Sequence, residues 1–387
     1  MTIKGRDLWM AAHRYSGLTI LVFLAFAALS GSILVYLRPL DAALNADLFR
    51  QPAASEAPPV SVLVDQFRAR HPELTVRSFP LTVAADARIP VNVAPVDQAV
   101  ETDQVFLDRA TGRLVASRSD TPALNRRGMA RLLHEAHYTL MLGDYGRWFM
   151  GALALTWLVS NFVGVYLTFP ARGAFWKQWK RTWRFSFSSP TPRLMMDLHR
   201  SLGLWLIVPL TLLALTSVCM NFFSEAYVPL VDRLVPEREL MLPTTEGQGP
   251  LTFAAAVDEA RSVAGSINGQ WLPASVLYDA SADRIGVTLT DNGVLSYNDL
   301  GPIYFYFDAG SGRLAEVIDP YHGNDNLAMF RWLYPVHSGH IAGWPTELLV
   351  VVCGLVVFGM CITGIYLWWK KRSGRVMRRK ARNGTGR

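Results

Sequence analysis

Four uncharged apolar stretches constrain this chain more than any other feature. They run over Gly17–Leu37, Trp148–Pro170, Leu202–Ser224 and Leu348–Trp369. Each is about as long as the roughly 20 residues that an α-helix needs to cross a bilayer. Apolar residues make up 51% of the 387-residue chain, and their concentration in blocks predicts a membrane protein with a four-helix bundle.

The first stretch also has features of a cleavable signal peptide. Lys4, Arg6 and Arg14 precede it, and small residues lie near Ser30. An internal repeat, described below, makes this stretch the counterpart of the third one. We therefore expect it to be retained as a membrane span.

The positions of the lysines predict the orientation of the spans. All six lie in the N-terminal tail, in the loop between the second and third spans, or in the C-terminal tail. These three regions share one side of a four-span protein, and the positive-inside rule places that side in the cytoplasm. Both termini are then cytoplasmic. The formal net charge of +7 is interpreted as basic residues beside the spans that contact lipid headgroups, so no nucleic-acid partner is expected.

The positions of the cysteines and the absence of several motifs exclude other classes of protein and cofactor site. Cys219, Cys353 and Cys361 all lie in predicted spans, which excludes a disulfide framework, and no Cys-x-x-Cys-His attaches a c-type haem. The sequence has no Gly-x-Gly-x-x-Gly after a strand, no Walker A motif and no His-Glu-x-x-His. The cytoplasmic segments are too short for a flavin or nicotinamide domain, so any electrons must come from a separate donor.

The chain contains an internal duplication. FLDRATGRL at 106–114 matches YFDAGSGRL at 306–314, and the same offset of 200 pairs His137 with His337. MAAHRYSGL at 10–18 matches MDLHRSLGL at 196–204 at an offset of 186, which pairs His13 with His199. Each half therefore reads as a span, an outer domain and a second span.

Each outer domain is predicted to be a small α+β unit. Ser61–His71 and Phe253–Gly265 have helical periodicity, whereas Ile89–Val96 and Arg284–Thr290 alternate as strands do. Val105–Ala116 is typical of two strands around a glycine turn. The repeated Asp-x-x-x-Gly-Arg sequence is interpreted as turn chemistry rather than as a site.

Two pairs of histidines recur in the repeat, and they are the candidate site. His13 and His199, the inner pair, stand at the cytoplasmic mouths of the first and third spans. His137 and His337, the outer pair, stand at the outer approaches to the second and fourth. Two imidazoles facing across a gap suit a haem iron with both axial positions filled. A bound metal ion, a proton relay and a purely structural role are the alternatives, although zinc prefers three or four clustered ligands.

Arginines and a second set of histidines accompany the pairs. Arg14 and Arg200 follow the inner histidines, and Arg131 and Arg331 lie six residues before the outer ones; such cations could pair with haem propionates. His134 and His340 flank the outer pair and are the less favoured alternative ligands, since their repeat partners are Tyr334 and Leu140. We expect the segment at 132–146 to be a short interfacial helix that ends at Gly143.

The motifs LHRYSGL, LLHEAHYTLMLG, LHRSLGLW and VHSGHIAG, in their duplicated arrangement, resemble the PepSY-associated transmembrane family of bacterial inner-membrane proteins. The resemblance extends over nearly the whole chain. It implies an inner-membrane protein with two periplasmic PepSY-like domains. By similarity to the ferrisiderophore reductases of this family, it implies two haems b, held by His13, His199, His137 and His337, and reduction of a ferric siderophore in the periplasm.

Two other functions remain open: a siderophore or haem transporter without redox chemistry, and a non-redox regulatory or binding protein. The predicted organisation has eight segments. These are a tail with the first span (1–37), a first outer domain (38–127), an interfacial helix with the second span (128–170), a basic loop (171–195), the third span (196–224), a second outer domain (225–327), an interfacial segment with the fourth span (328–369), and a basic tail (370–387).

Overall fold

A computed structural model gives the architecture, and it describes residues 3–54, 56–95, 103–119, 121–236, 247, 249–265, 269–296 and 298–384. The chain divides into two compact units. The bundle unit comprises Met1–Val35, His134–Pro229 and Val336–Arg387. The sheet unit comprises Tyr36–Leu133 and Leu230–Pro335.

The helices of the bundle unit include the predicted spans. They are α1 (Ile3–Leu34), α6 (Gly143–Thr168), α7 (Phe175–Trp179), a 3-10 turn (Lys180–Trp183), α8 (Thr191–Trp205), α9 (Ile207–Asn221), a π turn (Phe223–Tyr227) and α13 (Trp344–Gly384). Helix α1 packs against α6 and α13, while α9 packs against α6. Three further helices, α5 (Met129–Thr139), α10 (Val228–Leu234) and α12 (Asp325–Ser338), cross from one unit into the other.

Among the described residues, three helices are long and apolar enough to cross a membrane on their own, over Gly5–Leu34, Gly143–Thr168 and Trp344–Ser373. The third predicted span is not one straight helix, because α8 and α9 meet at an angle of 72°. Pro209 explains the break, since it has no N–H to donate to the carbonyl of Trp205. Taken as one broken span, the pair gives the four crossings that the sequence predicts.

The interfacial helix α5 does not end at Gly143 as expected. It ends at Thr139, and Leu140 and Met141 follow in the left-handed region with φ of 52° and 63°. Gly143 (φ 57°) begins α6, and its repeat partner Gly343 (φ 68°) directly precedes α13. The repeated glycine therefore lies at the beginning of each of these two helices, where a positive φ costs glycine little.

The sheet unit is built around one eight-stranded antiparallel sheet. Its strands are β1 (Leu74–Pro80), β2 (Ile89–Pro95), β3 (Gln104–Leu107), β4 (Leu114–Arg118), β5 (Leu272–Asp279), β6 (Arg284–Thr290), β7 (Ile303–Asp308) and β8 (Leu314–Ile318). The order is β4-β3-β2-β1-β5-β6-β7-β8. Helices α4 (Val60–Arg70) and α11 (Phe253–Ala264) pack on it, and short helices α2 (Leu37–Leu44) and α3 (Ala46–Phe49) precede α4. The predicted helices and strands are thus present, apart from Val96, which lies outside the described residues.

The sequence predicts two outer domains, but the halves form one compact unit. Each half supplies a four-stranded meander, and β1 pairs with β5 through Ser78 with Leu277 and Phe79 with Val276. Asp65 of α4 joins the halves again by accepting hydrogen bonds from the backbone N–H groups of Phe253 and Ala254 at 2.9 Å. Pairing the two inner edges removes two exposed strand edges, which explains why one sheet forms rather than two.

The repeated Asp-x-x-x-Gly-Arg sequence has the predicted turn role. Asp108 Oδ1 accepts a hydrogen bond from the backbone N–H of Thr111 at 2.8 Å, and Asp308 Oδ1 accepts the equivalent one from Ser311 at 2.7 Å. Gly112 has a φ of 62° and Gly312 of 76°. These contacts close the β3–β4 and β7–β8 hairpins.

Candidate functional site

The inner pair lies where α1 meets α8. The ring centres of His13 and His199 are 6.4 Å apart, with an interplanar angle of 76°. The histidines are brought together although 186 residues separate them in the sequence. The two rings therefore meet across a narrow gap at a steep angle, at a spacing that suits imidazoles sharing one ligand.

The outer pair lies where α5 meets α12. The ring centres of His137 and His337 are also 6.4 Å apart, with an interplanar angle of 53°. Burial lowers the pKa of His137 to about 3, with a smaller effect of the neighbouring His337, and burial lowers the pKa of His337 to about 4. Both imidazoles are consequently neutral at pH 7, and a neutral ring is the form that binds a metal.

Each of the four histidines meets a hydroxyl group through its Nδ1 atom. The pairs are His13 with Ser160 (2.9 Å), His199 with Thr363 (3.0 Å), His137 with Ser30 (2.9 Å) and His337 with Thr216 (3.0 Å). Each hydroxyl lies on a different helix from its histidine. The same contact between an imidazole Nδ1 and a hydroxyl group thus recurs at all four histidines of the duplicated chain.

The other hydrogen bonds of three of these hydroxyl groups favour one tautomer of the histidine that each contacts. The hydroxyl of Ser30 donates its only proton to the carbonyl of Phe26 at 2.8 Å, and that of Thr216 donates to Leu212 at 2.8 Å. Thr363 donates to the carbonyl of Met360 at 3.0 Å. These oxygens then accept from the histidines, so the proton sits on Nδ1 and the lone pair on Nε2. A metal-binding histidine is commonly oriented in this way.

Glycines make room for the imidazoles. A Cβ atom on Gly31 would lie 3.0 Å from Cε1 of His137, and one on Gly164 would lie 3.3 Å from Cε1 of His13. The corresponding distance from Gly364 to His199 is 3.8 Å. The rings of His137 and His13 therefore pack closely against the backbone of a neighbouring helix. A larger residue at Gly31 or Gly164 would displace the ring beside it.

The spacing within each pair fits two imidazoles on one iron. Two metal–nitrogen bonds of about 2 Å, with about 1.2 Å from each nitrogen to its ring centre, place the ring centres roughly 6 Å apart. A cleft of about 270 Å³ opens beside His13, lined largely by apolar or small side chains that include Ala12, Ser16 and Val163. The lining of this cleft does not include His199, so the fit to a flat macrocycle such as haem rests on the spacing of the two rings.

Arg200 is the arginine that best fits an anionic substituent of such a group. One of its terminal nitrogens lies 2.8 Å from Asp197. Over the described ranges, its buried Nε atom has no hydrogen-bond partner. Arg14 is half-buried on α1, next to His13. The inner pair thus has a cation with an unused donor one residue from His199.

The other two predicted arginines belong to the sheet unit. Arg131 lies on α5 and Arg331 on α12, each in the part of its helix that precedes the outer histidine. The guanidinium of Arg331 lies 4.9 Å from the ring centre of Tyr304 in β7. The structure therefore gives Arg331 a stacking partner, and the propionate role of both arginines stays a prediction.

The alternative histidines have other ring and hydrogen-bond contacts. His134 is exposed and has its ring 5.1 Å from that of Tyr138. His340 contacts the hydroxyl of Ser338 through Nδ1 at 2.7 Å, and its Nε2 lies 3.9 Å from Glu347. The geometry therefore favours His137 and His337 over both.

The two pairs are far apart along the bundle. Ser30, the partner of His137, follows His13 by 17 residues on the same helix α1. At 1.5 Å per residue, this is about 26 Å along the axis. The hydrocarbon core of a bilayer is about 30 Å thick, so the pairs lie at opposite ends of one span.

An isolated metal ion has less support. Within the part of the chain that the structure describes, no group of three or more histidine, cysteine, aspartate or glutamate side chains is arranged to hold one. A structural zinc site needs four ligands and a catalytic one needs three. The donor set at each location is two neutral imidazoles, which suits an iron whose four remaining ligands come from a macrocycle.

The four hydroxyl groups that contact the histidines are candidate site residues that the sequence did not single out. A signal for them was present, because Ser30 and Thr216 are separated by 186 residues, the offset that relates His13 to His199. Ser160 and Thr363 are separated by 203 residues rather than 200. Three residues are close to one helical turn, so the contact is kept on the same helix face although the alignment shifts.

Comparison with known proteins supports the assignment of the chain. Among curated proteins, none matches it. The profile of the family described as PepSY-associated TM region matches residues 10–371. This range includes all four paired histidines, the spans and the sheet. The chain is therefore a membrane protein that belongs to the family of the PepSY-associated TM region.

Proposed function

We propose that this protein is a di-haem b electron conduit that reduces ferric siderophores, an oxidoreductase acting on metal ions. The observation that carries the proposal is the recurrence of one arrangement at both ends of the bundle. Each end has two facing imidazoles whose ring centres are 6.4 Å apart, each with a hydroxyl at Nδ1. When bound, haem would supply a one-electron carrier at each location.

The chain's own residues hold and orient such a group. His13 and His199 would hold the inner haem, and His137 and His337 the outer one. The hydroxyl groups of Ser30, Thr216 and Thr363 favour a proton on Nδ1, which would leave Nε2 available to iron. Arg200 offers its buried Nε–H to a propionate. The imidazoles are half-buried, and their partly apolar surroundings would tune the reduction potential of a bound haem.

The distribution of basic residues supports the direction of transfer. Lysines and arginines concentrate in the tails and in the loop between the second and third spans. The positive-inside rule then places the inner pair at the cytoplasmic face of a bacterial inner membrane and the sheet unit in the periplasm. An electron from a cytoplasmic or membrane-bound donor would enter at the inner pair.

The substrate follows from the chemistry of siderophores. Hydroxamate and catecholate oxygens are hard ligands that hold Fe(III) more tightly than Fe(II). Transfer of one electron to the bound Fe(III) gives Fe(II), breaks no bond within the siderophore and weakens its hold on the metal. The outer pair would deliver this electron at the periplasmic face, where a bulky complex can approach.

The optical spectrum of the full-length protein, purified from haem-replete cells, tests the proposal. We expect about two haems per chain and a sharp α-band after dithionite reduction. Adding a ferric siderophore to the reduced protein, with excess dithionite removed, should reoxidise both haems and release Fe(II) to a ferrous chelator. Protein without haem would refute the conduit. Haem that stays reduced would refute the reductase and favour a transporter.

A further inference from the structure

Helix α2 exposes Arg38 and two leucines but buries its acidic residue. Its acidic residue Asp41 is buried and forms a bidentate ion pair with Arg118 of β4 at 3.0 and 2.8 Å. Leu40 and Leu44 point outwards with exposed fractions of 38% and 42%. A helix on a water-exposed surface normally has the opposite pattern. Something other than water is therefore expected on the leucine side of α2.

Helix α10 presents a similar pair in the second half of the chain. Val231 is buried, whereas Leu230 and Leu234 are 54% and 70% exposed. Residues four apart lie on the same face of a helix, so each of these helices exposes two adjacent leucines. A single exposed leucine is common on protein surfaces, but a pair on one helix face, found after a candidate span in each half of the chain, is not explained by that.

The connections to the spans identify what covers these leucines. Helix α2 begins at Leu37, three residues after α1 ends at Leu34. Helix α10 begins at Val228, seven residues after α9 ends at Asn221. In both halves, the leucine pair follows a candidate spanning helix in the chain, with the π turn Phe223–Tyr227 between α9 and α10. The exposed leucines are thus continuous in sequence with a lipid-facing surface.

We infer that α2 and α10 are interfacial helices whose leucines insert into the lipid leaflet in which α1 and α9 end. Interfacial helices bury an apolar face about 5–10 Å into the boundary between headgroups and acyl chains. The Asp41–Arg118 pair ties α2 to the sheet, so insertion of α2 anchors β4 at the membrane surface. The inference does not depend on haem or on any redox activity.

Spin labels on the full-length protein in phospholipid nanodiscs test this inference. Leu40→Cys, Leu44→Cys, Leu230→Cys and Leu234→Cys are labelled one at a time in a Cys219→Ala background, which keeps only the buried Cys353 and Cys361. Arg261→Cys on α11 is the matched control, because Arg261 is an exposed residue of the same unit. The relaxation of each label is measured with oxygen, which enters lipid, and with a water-soluble nickel chelate.

We expect the oxygen-to-nickel accessibility ratio to be severalfold higher at the four leucine positions than at Arg261→Cys. Equal ratios would overturn the inference. Low accessibility to both reagents, with dipolar broadening between copies, would assign the leucines to an interface between two chains and overturn it as well. Far-UV circular dichroism of each labelled variant confirms that it is folded.

Discussion

The hydroxyl oxygen of Ser30 lies 2.9 Å from Nδ1 of His137, and it accepts the imidazole proton because its own proton is donated to a helix carbonyl. The repeat partner of Ser30 is Thr216, which makes the same contact with His337 at 3.0 Å. The outer imidazoles are thus oriented by two symmetry-related hydroxyls. Thr216 provides a direct test of this role.

Thr216→Val keeps the shape of the side chain and removes the acceptor for His337. We expect the affinity of the outer site for haem to fall by about 10- to 100-fold, as is typical when a second contact of a metal-binding histidine is lost. The inner haem should be unaffected. Haem content and a redox titration followed by optical spectroscopy measure both effects.

Ser217→Ala is the matched control on the same helix. Within the residues that the structure describes, the Ser217 hydroxyl donates a hydrogen bond to the carbonyl of Leu213 and contacts no histidine. It should leave both haems as they are in the parent protein. Equal losses in Thr216→Val and Ser217→Ala would show that the hydroxyl does not orient His337.

The choice between His134 and His137 can be decided by substitution. His137→Ala should remove one of the two haems, because His137 faces His337 across the gap. His134→Ala should retain both, since His137 rather than His134 forms the ring pair with His337. Haem-to-protein ratios of the purified variants give the answer. Loss of a haem only in His134→Ala would reverse the assignment.

Gly31 tests how closely the outer site is packed. Gly31→Ala places a methyl group 3.0 Å from Cε1 of His137, a distance that requires the ring to shift. We expect an altered outer haem spectrum or loss of that haem, with the inner haem unchanged. In Gly359→Ala, the added methyl group has no neighbour within 4 Å, so both haems should be retained. Electron paramagnetic resonance of the oxidised protein distinguishes the two sites.

The ion pair between Asp41 and Arg118 should dominate the attachment of α2 to the sheet. Their side chains are only 11% and 9% exposed. Asp41→Ala leaves the Arg118 guanidinium buried without its carboxylate, and such a loss costs about 3–5 kcal/mol. Thermal unfolding of the full chain in detergent, followed by circular dichroism, should show a clear fall in Tm.

Asp47→Ala is the control for that substitution. Asp47 of α3 pairs with Arg126 and Arg127, but its side chain is 49% exposed. Exposed ion pairs contribute little because water screens them. A fall in Tm for Asp47→Ala as large as that for Asp41→Ala would contradict a special role of the buried pair.

Much of the architecture was predictable from local patterns. The length of the apolar stretches predicts the spans, because an α-helix satisfies all the backbone hydrogen bonds of such a segment within the lipid. Alternation gives strands such as β6, and the positions of Gly112 and Gly312 give the hairpin turns. The duplication singles out His13, His199, His137 and His337 without an alignment of relatives, because the two halves of one chain act as their own comparison.

The tertiary structure decided what these patterns leave open. Each half has an edge strand of the same kind, so periodicity alone gives no reason to prefer two sheets over the single sheet joined at Phe79 and Val276. Likewise, the sequence cannot say whether His134 or His137 turns into the bundle. The rotation of α5 against α12 decides this, since it depends on packing between residues 200 positions apart.

The sequence by itself determined the spans, the duplication and the histidine pairs, because these follow from local hydropathy and from identity at a fixed offset. Only the tertiary structure decided that imidazoles from distant segments meet at 6.4 Å, that a hydroxyl group contacts Nδ1 of each one, and that α2 turns its leucines outwards. The physical reason is that distances, proton positions and exposed faces are set by how helices pack, and packing joins residues that no local pattern connects.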